Sequence, residues 1–156
     1  MAGALSDDLA PGELVTGTRV VAPDGSSLWE GPALAVPGAR PAVVCAAGRV
    51  VDDPVQRAAL AASSGADVLD MESGPLAASG RLAGVLRAVS DSPAARVGRL
   101  GAAAHADGSV RWTTVAAAFV LEPRRATAAA RNARAALAAL ERAAAELALR
   151  APETPA

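Results

Sequence analysis

The 156-residue chain has no lysine, isoleucine or tyrosine, only one cysteine and one histidine, and only 2% aromatic residues. A single cysteine excludes a disulfide framework within the chain, which fits a reducing compartment. Cys45 lies in the apolar run PAVVCAAG, and we expect it to be a small buried residue rather than a nucleophile. His105 has no second histidine or cysteine near it, so we expect no metal site. Because aromatic residues are so few and isoleucine is absent, the core must be built mostly from alanine, valine and leucine.

An excess of charge and an uninterrupted apolar segment are also missing. The net charge is −1, and every basic residue is an arginine spread along the chain, so no nucleic-acid partner is predicted. The N-terminus has no basic region, and arginine, glycine or proline interrupts the longest apolar runs, so neither a signal peptide nor a membrane span is predicted. We expect a cytoplasmic protein with one domain over residues 1–150 and a disordered tail at 151–156.

In the first 95 residues, short apolar segments alternate with helical ones. Asp52 or Asp53 is expected to cap a helix that starts at Pro54 and ends at Gly65. A second, short helix is expected in SGPLAAS (73–79). Strands are expected at 14–21, at 40–51, in ADVLDM (66–71) and in RLAGVLRAVSD (81–91), with a turn in PDGSSLW (23–29). This alternation predicts βαβ units and an α/β fold.

Two C-terminal helices are predicted, at 109–121 and at 123–150. Trp112 and Phe119 are seven residues apart on the first, and we expect both in the core. The second helix has an apolar face that we expect to pack on the sheet, formed by Leu137, Leu140, Ala144 and Leu147. Contact with a membrane surface or with another copy of the chain is the alternative.

Carboxylates follow two consecutive predicted strands. Asp70 and Glu72 close the first strand, and the pair Ser90 and Asp91 closes the next. If a βαβ unit joins these strands, both carboxylates reach the same edge of the sheet, where α/β folds bind ligands. Arg87, inside the second strand, is expected to form a structural ion pair with Asp70.

Around these carboxylates, DMES followed by VLRAVSD resembles the nucleoside phosphorylase and nucleosidase superfamily, which includes purine nucleoside phosphorylases and methylthioadenosine/S-adenosylhomocysteine nucleosidases. MAGALSDDLAPGELVTGTRVV resembles the Gly-Ala-Leu loop of that superfamily and the segment after it. The segment from Leu100 to Leu140 resembles the tail of the hopanoid-associated phosphorylases. The resemblance implies a three-layer α/β/α fold with a mostly parallel or mixed central sheet and C-terminal helices.

The resemblance also implies a role for each matching residue. Glu72 would accept hydrogen bonds from the ribose hydroxyls, with Met71 beside the sugar, and the backbone of Ala2 and Gly3 would approach the nucleoside. Asp91 would donate a proton to the departing purine, and Ser90 would orient it. Positioned proton donors of this kind typically contribute about 10²–10⁴ in rate. For this role Asp91 must hold a proton near neutral pH. No cofactor is implied, although phosphate is the co-substrate if the reaction is a phosphorolysis.

The chain departs from the superfamily pattern at its N-terminus, in the helix after Glu72, which is about one turn shorter, and at Val50 and Val51. It begins inside the Gly-Ala-Leu loop, so we expect an N-terminally truncated protein without the phosphate-binding loop. Val50 and Val51 stand where methylthioadenosine nucleosidases place an aromatic residue, which favours the hopanoid branch.

The expected activity is therefore release of adenine from a purine nucleoside by phosphorolysis or hydrolysis, with an adenosyl-hopanoid as the implied substrate. We also expect peripheral contact with a membrane and assembly into a homo-oligomer. The alternatives are a methylthioadenosine/S-adenosylhomocysteine nucleosidase, or a non-catalytic remnant that binds a nucleoside or a partner subunit.

Overall fold

The structure, a computed structural model, describes residues 1–95, 98 and 111–150. Six strands and four helices are found in these ranges. The strands are β1 (Ala2–Ala4), β2 (Leu14–Val21), β3 (Ser27–Glu30), β4 (Arg40–Ala46), β5 (Val68–Asp70) and β6 (Val85–Asp91). The helices are α1 (Pro54–Ser64), α2 (Ser73–Ala78), α3 (Trp112–Leu121) and α4 (Pro123–Arg150). The expected α/β class, with a central mixed sheet and C-terminal helices, is confirmed.

The strands pair in a closed ring. The sheet order is β3-β2-β4-β5-β1-β6, and β6 pairs again with β2, antiparallel, through Leu14–Gly17 and Val85–Ala88. The three-layer arrangement expected from the resemblance is not confirmed, since five strands form a ring. The sixth strand, β3, pairs with the C-terminal residues of β2, from Arg19 to Val21. Each of the five ring strands therefore has a hydrogen-bonded neighbour on both sides.

The expectation that β5 and β6 end at the same edge is wrong. β5 is antiparallel to β1, and β1 is parallel to β6, so β5 and β6 run in opposite directions. The reason lies in α2, whose six residues are about 9 Å long. This is too short to carry the chain back along the sheet. The chain consequently enters β6 beside the end of β5, and Asp70 and Asp91 terminate strands that point apart.

Helix α1 begins and ends as its sequence predicts. Asp53 is the N-cap, where its carboxylate accepts hydrogen bonds from the backbone N–H groups of Val55 and Gln56, with Pro54 in the first turn. Gly65 ends the helix in the left-handed conformation at φ 64°, which glycine adopts without the steric cost of a Cβ atom.

The core has an inner part and an outer part. Every ring strand contributes small apolar side chains to one buried cluster, in which Val15, Val20, Val44, Val68, Val85 and Val89 are almost completely buried. A second cluster joins α1 to β4 and β5 through Leu60, Ala61, Cys45 and Leu69. Alanine and valine thus form the interior, as the composition predicts.

Helix α4 packs on the ring as expected, but of the predicted face only Leu140 takes part. Ala136 and Ala139 pack on Ala88 of β6, with Leu140 beside them. Leu137, Ala144 and Leu147 do not belong to this face, and the Leu137 side chain is 53% exposed. Alanines lie against the strand because small side chains allow the helix to approach closely.

Other sequence expectations are corrected in part. The predicted strands at 40–51, 66–71 and 81–91 are shorter than expected, and the segment expected as a turn contains β3 from Ser27. Trp112 is 75% exposed and Phe119 is 44% exposed, so the expected core position of both is wrong. His105, Ser109 and the tail at 151–156 lie outside the described residues.

No helix within the described ranges is both long and apolar enough to cross a bilayer.

Candidate active site

Four residues next to β5 form a polar network, called here the Asp70 cluster: Asp70, Glu72, Ser73 and Arg87. Asp70 is 4% exposed and accepts hydrogen bonds from Ser73 Oγ at 2.5 Å, from the Ser73 N–H at 3.1 Å and from Arg87 Nε at 2.6 Å. Arg87 Nη2 also donates to Ser73 Oγ at 3.1 Å. The expected ion pair between Arg87 and Asp70 is confirmed. Three of these four hydrogen bonds satisfy the buried Asp70 carboxylate and the fourth joins Arg87 to Ser73, so the network holds α2 against β5 and β6.

Glu72 lies at the exposed rim of the Asp70 cluster. Its side chain is 60% exposed, and its Oε2 lies 3.8 Å from Arg87 Nη2. It precedes α2 as the N-cap residue without forming a side-chain cap, and Met71 beside it is half-buried. Burial and the Arg87 guanidinium lower the pKa of the Met1 amino group, while Glu72 and Asp70 oppose this shift. Because its side chain is largely exposed, the Glu72 carboxylate is accessible to a ligand from solvent.

A second network, called here the Asp91 cluster, lies at the end of β6 and contains Asp91, Ser90 and Arg57. Arg57 Nη2 forms an ion pair with Asp91 Oδ2, and Ser90 Oγ donates to Asp91 Oδ1 at 2.6 Å. Ser90 Oγ also lies 3.2 Å from the carbonyl oxygen of Ala2. The exposed fraction is 3% for the Arg57 side chain and 12% for that of Asp91. Asp91 is therefore a nearly buried carboxylate whose position is held from two directions.

Arg57 is the residue of this site that the sequence reasoning missed. It projects from α1, donates through Nε to the Val51 carbonyl at 2.7 Å and through Nη1 to the Ser92 carbonyl at 2.9 Å. The signal in the sequence is its spacing, because Arg57 and Ser64 are seven residues apart on the buried face of α1. An arginine on the buried face of a helix needs a carboxylate or carbonyl partner.

β1 lies between the two networks and does not form the expected loop. Ala2 and Gly3 are buried in this strand, and the register with β6 shifts so that Ala2 pairs with Val89 and Gly3 with Asp91. Ser90 is the extra residue of this bulge, and bulges often re-aim side chains next to sites. A Cβ atom on Gly3 would lie 3.2 Å from Asp91 Oδ2, so glycine leaves room for the carboxylate.

A cavity of about 500 Å³ opens beside Asp91. One wall is the end of β6 and the residues after it, Asp91, Ala94 and Ala95, and the other is the first part of α4. This volume lies within the range of about 300–1,000 Å³ that is typical of small-molecule sites. Of the residues predicted for the site, only Asp91 lines the cavity; Glu72, Met71, Ser90, Ala2 and Gly3 do not.

Two other polar features bear on the chemistry. Burial raises the pKa of the Cys45 thiol, and Asp70 adds to this, against a hydrogen bond from Ser64. The thiolate is therefore disfavoured at neutral pH. Within 1–95, 98 and 111–150, no group of three or more histidine, cysteine or acidic residues is arranged to bind a metal ion.

No protein-family model matches the chain, and no curated protein sequence matches it. Several solved structures have a similar chain path. The 5'-methylthioadenosine/S-adenosylhomocysteine nucleosidase from Campylobacter jejuni aligns with a TM-score of 0.48 and 21% identity over 60% of this chain and 54% of its own. The Helicobacter pylori nucleosidase with butyl-thio-DADMe-Immucillin-A aligns with a TM-score of 0.46 and 17% identity over 88% of this chain and 65% of its own.

Futalosine hydrolase from Helicobacter pylori is similar at a TM-score of 0.48 and 15% identity, over 88% of this chain and 64% of its own. The chain thus spans between about half and two thirds of the length of these enzymes. At these identities and TM-scores the likeness is limited to the chain path and says nothing of this chain's chemistry.

Proposed function

We propose that this chain binds a purine nucleoside beside Asp91 and takes part in cleaving its N-glycosidic bond. The observation that carries the proposal is a nearly buried carboxylate, Asp91, at the wall of a cavity of about 500 Å³. The resemblance of DMES and VLRAVSD to the nucleoside phosphorylase superfamily supports the choice of ligand. A cavity of this size with a convergent polar group is the default location of a binding site.

In this proposal, Asp91 acts on the base. When the bond between C1′ and the purine nitrogen breaks, its electron pair goes to the base, and a proton from Asp91 neutralises the base at N7. Arg57 Nη2 forms an ion pair with Asp91 Oδ2 in the described structure, so this ion pair must open and the Asp91 carboxyl group must take up a proton from solvent before the transfer. Ser90 keeps the carboxyl group oriented through its 2.6 Å hydrogen bond.

Glu72, Met71, Ala2 and Gly3 do not line the cavity, so their proposed roles require the ribose to extend out of it toward the end of β5. There the exposed carboxylate of Glu72 accepts hydrogen bonds from the ribose hydroxyls and stabilises the positive charge that develops at C1′. Met71 packs beside the sugar, and the backbone of Ala2 and Gly3 approaches the nucleoside. Water or phosphate then takes the ribosyl group, which gives hydrolysis or phosphorolysis.

The finer proposal is an adenosyl-hopanoid as substrate, with methylthioadenosine or S-adenosylhomocysteine as the alternative. Val50 and Val51 are not aromatic and so supply no stacking surface for adenine; Val51 is also buried. The test is adenine release from adenosine, methylthioadenosine, S-adenosylhomocysteine and adenosylhopane, each with and without phosphate. Release that depends on phosphate indicates phosphorolysis; no release from any of the four contradicts the catalytic proposal.

A second function, binding without catalysis, is favoured by one observation. The Arg57 guanidinium already neutralises Asp91, and a carboxylate held in this way is an acceptor for N–H groups of a base. A chain that binds adenosine by calorimetry and releases no adenine over days is a binding module.

We also propose peripheral contact with an anionic lipid surface through α3. Trp112, Ala116, Phe119 and Val120 are exposed at helical spacing on this helix. Residues 111–150 contain seven arginines against three glutamates, whereas residues 1–95 contain eleven acidic residues against six arginines. α3 itself has no charged residue, so the apolar contact comes from α3 and the attraction to anionic lipid comes from the arginines of α4.

A further inference from the structure

The wall of the cavity opposite Asp91 carries two arginines that form no ion pair with a described residue. Arg124, Arg125, Ala128, Ala129 and Asn132 line this wall. Arg124, Ala128 and Asn132 are four residues apart, as are Arg125 and Ala129, so one face of α4 presents them together. The two alanines leave the space that the arginines and the asparagine surround.

The charge on this wall is unpaired in the described structure. The ion pairs found in 1–95, 98 and 111–150 involve Arg40, Arg57 and Arg87, and none involves Arg124 or Arg125. Both side chains are exposed toward the cavity and solvent. Asp91, the carboxylate across the cavity, already has Arg57 as its partner. The cavity therefore has a net positive wall opposite a neutralised ion pair.

We infer that Arg124 and Arg125, with the Asn132 amide, form an anion subsite that takes a phosphate group. Guanidinium groups bind phosphate oxygens through paired, charge-assisted hydrogen bonds, and the amide donates a further one. The phosphate belongs either to the nucleoside or to free phosphate bound as co-substrate; the chemistry of the subsite is the same. This inference rests on the proposed function only for the position of the base at Asp91.

The test is calorimetric titration of the full chain with three probes at low ionic strength: adenosine, adenosine 5′-monophosphate and inorganic phosphate. The variant is R124Q/R125Q, because glutamine keeps the helix propensity of arginine and removes the charge. The matched control is Arg134→Gln, an exposed arginine of the same helix that does not line the cavity. Circular dichroism establishes that all variants retain the helix content of the wild type.

If the nucleoside carries the phosphate, the monophosphate binds about tenfold or more tightly than adenosine. This advantage disappears in R124Q/R125Q and in high salt, and it persists in Arg134→Gln. If the phosphate is free, inorganic phosphate binds to the wild type, and R124Q/R125Q abolishes this binding. Phosphate binding that is unchanged in R124Q/R125Q, or no binding of either phosphate probe, overturns the inference.

The same titrations separate this inference from the proposed function. Adenosine carries no anionic group, so its binding reports on the site at Asp91 and not on the arginines. Equal binding of adenosine to the wild type and to Asp91→Asn contradicts the proposed function, whatever the phosphate probes show. The absence of adenosine binding to both proteins contradicts it as well.

Discussion

At the scale of single residues, the Asp91 cluster depends on Arg57. This arginine is 2% exposed, and its guanidinium reaches Asp91 and the carbonyl groups of Val51 and Ser92. We predict that Arg57→Met lowers the free energy of unfolding by about 3–5 kcal/mol, because it leaves a nearly buried carboxylate without its partner. Urea denaturation measures this loss.

Two further variants make the test specific. In the double variant Arg57→Met/Asp91→Asn part of the loss is recovered, since the unpaired charge is gone. Arg81→Met, at an exposed arginine, changes the free energy of unfolding by less than about 0.5 kcal/mol. If Arg57→Met is as mild as Arg81→Met, the ion pair does not hold Asp91.

Of the two buried ion pairs of the site, the sequence predicted one. The Arg87–Asp70 pair follows from an arginine inside one apolar strand and a carboxylate at the end of the strand before it. The Arg57–Asp91 pair was not predictable, because the two residues are 34 positions apart in the chain. Their contact depends on where α1 lies relative to the ring, which no local sequence pattern indicates. Trp112 and Phe119 were expected in the core, since large apolar side chains are usually buried, yet both are exposed.

At the scale of elements, helix α3 has an apolar face without a partner among the described residues. Trp112 is 75% exposed and Val120 is 77% exposed. We predict that the chain co-sediments with vesicles of phosphatidylserine and phosphatidylcholine, and that Trp112→Ser/Val120→Ser weakens this binding about tenfold or more, because each side chain buries apolar area in the lipid.

Helix α1 offers the control for this experiment. Val55 is as exposed as Val120, at 76%, and lies on another helix, so Val55→Ser leaves vesicle binding unchanged. Vesicle binding equal in all variants contradicts the lipid proposal. A dimer in sedimentation velocity that Trp112→Ser/Val120→Ser dissolves assigns the face to a second copy of the chain.

Element boundaries were predictable where side chains determine them. Asp53, Pro54 and Gly65 mark the two ends of α1, and each acts there as expected. β1 and β3 were not predicted as strands, because three and four residues are too few to show an alternating pattern. The face of α4 was mistaken because leucine suggested burial, whereas close packing on Ala88 selects alanine.

At the scale of the whole molecule, the ring closes where β2 meets β6. Gly17 of β2 pairs with Val85 there, and a Cβ atom at Gly17 would lie 2.9 Å from Val85 Cβ and 3.2 Å from Val44 Cγ2. We predict that Gly17→Ala lowers the free energy of unfolding by about 1–3 kcal/mol, because the buried valines cannot move aside without strain.

Gly48→Ala is the matched control, since nothing lies within 4 Å of a Cβ atom at this exposed position. Its effect is expected within about 0.5 kcal/mol of the wild type or slightly stabilising. Equal stability of Gly17→Ala and Gly48→Ala in urea would mean that the ring is not closed at this point. Ring closure was not predictable, because it depends on the direction of β6, and the sequence suggested a parallel βαβ crossover instead.

Asp91 is proposed to act on the base of a purine nucleoside, and this role is tested by comparing adenine release by the wild type and by Asp91→Asn. The assay uses the four adenine nucleosides with phosphate present, and Glu30→Gln, at an exposed carboxylate of β3, is the control. We predict that the wild type and Glu30→Gln release adenine equally, and that Asp91→Asn lowers the rate by about 10²–10⁴. Unchanged adenine release by Asp91→Asn would show that this carboxylate has no role in cleavage.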